Sequence, residues 1–148
     1  MSRVANNEIS NGWSDYLTVK HGDLTADATT QTFTIPIPAG AIVRNVGLYS
    51  ETAFDGAGAS LTVQAGDGSD ANGLLLATQI HNDDGSTLYY ANGLGAYIDG
   101  GTAAEQQGKL YATADTLDIL FTGDVNVSGL TSGKVTVFVD MKRLNPES

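Results

Sequence analysis

Apolar and polar residues alternate with period two along four stretches of the chain, the pattern of strands that bury one face. In Thr32 to Ile37, Phe33, Ile35 and Ile37 fall on one side, while Thr32, Thr34 and Pro36 fall on the other. Pro36 and Pro38 place the end of that strand at a sheet edge, because proline cannot donate to a ladder. Ser60 to Ala65 sets Leu61, Val63 and Ala65 against Ser60, Thr62 and Gln64, and Leu117, Ile119 and Phe121 alternate with Asp118 and Leu120. Lys134 to Lys142 is the clearest, with Val135, Val137, Val139 and Met141 on one side. Further strands are predicted at Tyr16 to Lys20, Ile42 to Thr52, Leu74 to Ile80, Thr87 to Tyr90, Ala96 to Ile98 and Lys109 to Thr113, each bounded by Gly, Asn or Asp. A helical turn is predicted only for Gly101 to Gln107.

The 18 glycines cluster with Asp, Asn and Ser between these segments, so they punctuate strands rather than form a linker. About eight to ten short strands separated by turn signals predict an all-β fold, a two-sheet β-sandwich of jelly-roll type. With 148 residues there is material for one domain. The periodic part runs from 16 to 142. Residues 1–15 read as a polar, Asn-rich N-terminal arm and 143–148 as a short tail, both suited to ordering against a partner.

Charge narrows the functions. Seven Lys and Arg against seventeen Asp and Glu give a net charge of -10, the wrong sign for direct nucleic-acid binding. The absence of cysteine removes disulfides, thiolate zinc sites and cysteine nucleophiles. No run approaches the ~20 apolar residues of a membrane helix, and Met1 to Glu8 lacks the apolar core of a secretory leader, so synthesis in a cytoplasm is expected.

The chemistry-bearing patterns are incomplete. Asp67 to Gly73 resembles a calcium loop in its closely spaced oxygens, but Ala71 occupies a ligand position and the distal Glu is missing, so an acidic hairpin turn is expected there. His21 and His81 adjoin acidic turns and read as solvated loop histidines, without the strained Gly-x-Ser-x-Gly elbow of a hydrolase. Gly93-Leu94-Gly95 does not extend to a phosphate-binding fingerprint, and Asn126-Val127-Ser128 matches a glycosylation sequon without a leader to expose it. No enzyme activity, cofactor or metal is expected.

Apolar residues on the wet faces are more informative. Leu120 and Phe138 stand at polar-side positions of their strands. If those two stretches paired, both would lie on one outer surface. Trp13, Tyr89 and Tyr90 join them as candidate interface residues.

Three stretches also resemble small virion proteins of tailed double-stranded DNA phages, especially those of marine bacteria: Ile37 to Leu48, Leu61 to Gly73, and Ala114 to Ile119 running on to Gly133 to Asp140. They cover most of residues 37 to 140 and leave the N-terminal arm unmatched. The resemblance implies a capsid decoration, or cement, protein made in the bacterial host cytoplasm. Such a protein would bind the outside of the assembled shell, contacting the major capsid protein and copies of itself, commonly as a homotrimer. The alternative reading is a tail-associated or host-recognition sandwich whose aromatics, including Tyr97, stack on surface glycans; a small hydrolase is disfavoured because no catalytic site converges in the sequence.

Overall fold

The alternating segments become ten strands in a computed structural model that describes residues 2–4, 15–82, 89–99 and 108–143. In chain order they are β1 (Ser2–Val4), β2 (Asp15–Lys20), β3 (Thr30–Ile37), β4 (Ala41–Gly56), β5 (Leu61–Gly66), β6 (Leu75–Gln79), β7 (Tyr89–Asn92), β8 (Lys109–Tyr111), β9 (Asp115–Gly123) and β10 (Leu130–Arg143). A six-stranded sheet runs β1-β2-β10-β4-β7, with β8 pairing further along β4, and a four-stranded sheet runs β3-β9-β5-β6. β1 falls in the sequence-defined arm. Residues 5–14 of that arm, 144–148 of the tail and the helical candidate Gly101 to Gln107 lie outside the described residues.

The pairings are nested. β2 pairs β10, β3 pairs β9, β4 pairs β7 and β8, and β5 pairs β6, all antiparallel, as in one long hairpin. That hairpin is rolled so that β10 also pairs β4 and β9 also pairs β5. This is the jelly-roll order, and it gives each sheet one face toward the other.

The inward residues are those that the alternation marks. Val135, Val137 and Val139 meet Leu17 and Val19 from one neighbour and Val46 and Leu48 from the other, all buried. The opposite sheet contributes Ile35, Leu61, Val63, Leu117 and Ile119. An aromatic chain crosses the core, with Phe33 edge-on to Phe121 at 5.6 Å and Phe121 6.5 Å from Phe54. β3 is an edge strand, where Pro36 removes no shared ladder bond.

Two elements differ from the sequence reading. Ala96 to Ile98, expected as a strand, is instead part of a four-residue helical turn, α1 (Ala96–Asp99). Its geometry is set by the preceding glycine: the Ile98 and Asp99 N–H groups both donate to the Gly95 carbonyl at 2.9 Å, and Tyr97 N–H donates to Gly73 O at 2.8 Å. Three residues hold too little periodicity to separate such a turn from a strand. β10 begins four residues before its alternating part, because register shifts around Ser132 and Lys134 interrupt the period.

Gly133 lies within that irregular stretch with φ +132°, and a Cβ there would collide with the Phe54 ring and approach the Phe54 Cα to 2.8 Å. Gly133→Ala is expected to cost about 2–5 kcal/mol from backbone strain plus overpacking. Gly22→Ala, where nothing stands within 4 Å of the added carbon, is expected to stay within about 0.5 kcal/mol. Urea unfolding of the two variants checks this contrast.

Candidate functional site

Asp67 follows directly on β5 and heads the turn into β6. Its side chain is 2% exposed, and such a carboxylate needs partners. Oδ1 accepts the Ser69 and Asp70 N–H groups at 2.9 and 3.0 Å, while Asp67 N–H donates to Asp70 O at 3.0 Å, closing the turn. Oδ2 accepts Lys109 Nζ at 2.5 Å and the Tyr111 hydroxyl at 2.8 Å, both from β8, and the Tyr97 hydroxyl reaches Oδ1 at 3.3 Å from α1. The ammonium also sits over two rings, 4.2 Å from the Tyr97 centroid and 4.9 Å from that of Tyr111. The cluster therefore ties the β5–β6 turn to α1 and β8, which is a clamp between the two sheets.

Burial works against the Asp67 charge, but hydrogen bonds from Lys109, Tyr111 and the backbone N–H groups of Asp70 and Ser69 outweigh it and hold the carboxyl at about 2, below its ordinary 3.8. Burial likewise disfavours the Lys109 ammonium, and the Asp67 and Tyr97 contacts overcome it, so Lys109 is raised above its ordinary 10.5. The Tyr111 phenol is pushed far up, first by burial and then by the carboxylate it donates to. Both members of the ion pair stay charged and Tyr111 stays protonated at neutral pH. The groups are held in place rather than poised to transfer protons.

The carboxylate that would head a calcium loop is thus spent on Lys109, two phenols and its own turn. Other acidic turns use their carboxylates in the same way. Asp124 accepts the Ala59 and Ser60 N–H groups at 3.1 and 3.2 Å, and Asp23 accepts Lys20 N–H at 2.9 Å. Gly93 and Gly95 owe their identity to close packing: a Cβ on either would strike the backbone of Leu74 or Gly73, respectively. Asn126 precedes a 3-10 turn at Val127–Gly129 whose Val127 is buried.

Among the predicted site residues, Trp13 lies outside the described residues. Tyr89 and Tyr90 are in β7, in register with Ser50 and Tyr49. Leu120 and Phe138 do not share a surface. β9 and β10 belong to different sheets, because the connection at 124–129 crosses between them, so the two residues stand on opposite outer faces of the sandwich. Leu120 is half-buried, in register with Thr32 on one side and Gln64 on the other. Phe138 has more company: Tyr16 lies opposite it with ring centroids 6.4 Å apart, and Tyr49 is 37% exposed on the same sheet. His81, expected in solvent, is fully buried, because a parallel bridge to Phe54 draws the end of β6 under β4. His21 is half-buried in a 3-10 turn.

Sequence reading missed one further feature, which appears only once strands are assigned to sheets. All seven cationic residues, Arg3, Lys20, Arg44, Lys109, Lys134, Lys142 and Arg143, lie on strands of the six-stranded sheet. β3, β5, β6 and β9 carry none. On the outer face of the six-stranded sheet Lys134 pairs with Glu51 at 2.6 Å and Arg44 with Asp140 at 3.0 Å, while the Thr18 and Thr136 hydroxyls share a 2.9 Å hydrogen bond between them. The four-stranded sheet turns out Thr32, Thr34, Thr116, Asp118 and Leu120.

No family model, curated protein or solved structure matches the chain.

The clamp yields a stability prediction with a definite sign. Asp67 is depressed on folding, so its contribution is complete above about pH 4 and is lost as pH falls towards 2. Lys109 is raised on folding, so its contribution is complete below its ordinary 10.5 and is lost as pH rises past its folded value. Asp67→Asn is expected to flatten the acid limb of the stability curve between pH 4 and 2. Lys109→Met, which leaves the carboxylate buried without its cation, is expected to cost at least about 2 kcal/mol at pH 7. Thermal unfolding across pH measures both.

Proposed function

We propose that the chain is a capsid decoration protein of a tailed phage, a structural module that binds the outside of the assembled shell as an oligomer and adds contacts between shell subunits. The observation that carries this reading is the contrast between the two outer faces of one stiff double sheet. One bears Tyr16, Tyr49 and Phe138 among cationic side chains, and the other is cation-free and threonine-rich. Two chemically different faces on opposite sides suit a block that must touch both copies of itself and neighbours. The buried polar cluster at Asp67 supports the same reading, since its groups rigidify the turn and are used up in doing so.

The mechanism is mechanical. Each bound copy adds interface that must separate before shell subunits part, so the shell becomes harder to open. A net charge of -10 keeps free copies apart until local contacts take over. Tyr97, a sugar-stacking candidate on sequence grounds, has Lys109 over its ring and its hydroxyl on Asp67, which counts against the glycan reading.

Mixing the purified protein with undecorated shells of the virus that encodes it, followed by electron microscopy, tests the proposal. Ordered extra density at symmetry-related outer positions, with a rise in the temperature at which shells open, is the expected result. Absence of shell binding combined with specific retention on a glycan array would replace it with the host-recognition reading.

A further inference from the structure

Every lysine and arginine of the chain belongs to the six-stranded sheet, although the strands of that sheet make up a minority of the sequence. In a protein of net charge -10 such one-sided placement leaves the opposite sheet with charge of a single sign: β3 and β9 carry Asp115 and Asp118 and no cation. We propose that the outer face of the six-stranded sheet is a self-association surface that receives the outer face of the four-stranded sheet of a second copy. This inference rests on the oligomeric part of the proposed function and names the surfaces that form the oligomer.

Three observations carry it. The first is charge complementarity. Lys134 and Arg44 are already matched by Glu51 and Asp140 on their own face, whereas among the described residues Lys142 is exposed without an ion pair and Lys20, also exposed, has only the Asp23 carboxylate of the following turn acting on it, so the face keeps a positive surplus. The second is the anatomy of the face, in which aromatic side chains at Tyr16, Phe138 and Tyr49 stand among charges, the arrangement of an apolar centre with a polar rim. The third is the character of its complement. Thr32, Thr34 and Thr116 are short side chains on a regular sheet, which lets another sheet approach closely, and Asp118 beside them supplies the opposite charge.

The geometry of such a contact is head-to-tail, because the two surfaces are different. Repetition then closes a ring or extends a filament, according to the rotation between copies. A pair of copies related by a twofold axis through the cationic face would instead set like charges against each other. Long-range repulsion between whole copies is screened beyond roughly 8 Å at physiological ionic strength, so the local match decides the docked arrangement.

Charge reversal tests the inference. Sedimentation velocity over a range of concentrations in physiological salt would compare the full chain with Lys20→Glu/Lys142→Glu, with Asp118→Lys, and with all three changes in one chain; circular dichroism and melting temperature would verify folding of each. The parent is expected to associate, each one-face variant to associate roughly tenfold or more weakly, and the combined variant, whose two faces are complementary again with signs exchanged, to recover association. A parent that stays monomeric at all concentrations overturns the inference, as does a combined variant that folds but recovers nothing. A parent that is monomeric in solution yet still binds shells would remove this pairing of faces and leave the decoration reading standing.

Discussion

Removal of every second side chain of β4 and β10 from water is the constraint on which the rest of this structure depends. The ladder between these strands extends from Ala41 opposite Arg143 to Gly56 opposite Leu130, and it forms the centre of the six-stranded sheet. Val46, Leu48, Val135, Val137 and Val139 can leave solvent only if a second apolar face covers them, and Ile35, Leu117, Ile119, Leu61 and Val63 provide it. Burial of the inner faces fixes the register, since a slip of one residue would turn the valines outward. The same register then dictates which residues appear outside. Tyr16, Phe138 and Gly47 form a row, as do Thr18, Thr136 and Tyr49.

Polar interactions refine a fold that apolar burial creates. The Asp67–Lys109 pair is bounded by Tyr97 and Tyr111 and tied to the β5–β6 turn, so a break there would leave a buried charge rather than merely lose a contact. Asp124 and Asp23 perform lighter duties at exposed turns by accepting backbone N–H groups. Ser50 is an exception: its hydroxyl is buried in β4 with no hydrogen-bond partner among the described residues.

Much of the fold was legible because strand periodicity is a local property. The alternations at Thr32 to Ile37 and Leu117 to Phe121 correspond to β3 and β9, and Pro36 correctly marks an edge. What was not legible depends on pairing. Leu120 and Phe138 have similar sequence environments, yet one sheet holds the first and the other sheet the second. The burial of His81 and the meeting of Asp67 with Lys109, 42 residues apart, likewise follow from the rolled topology rather than from any short motif. The segregation of cations was in view as composition but meaningless until each strand had a sheet. The phage-shell reading stands on a different footing, as a proposal joined to the character of the two faces.

The central claim is that this protein works through its outer faces and that its buried polar cluster only holds the shape. Hydroxyl-radical footprinting of the protein bound to shells, compared with dilute free protein, measures this most directly. The account predicts lower oxidation of Tyr49 and Leu120, which lie on the two outer faces, with Tyr97 and Tyr111 of the clamp unchanged. Protection concentrated at Tyr97 and Tyr111, with both outer faces as reactive as in the free protein, would contradict it.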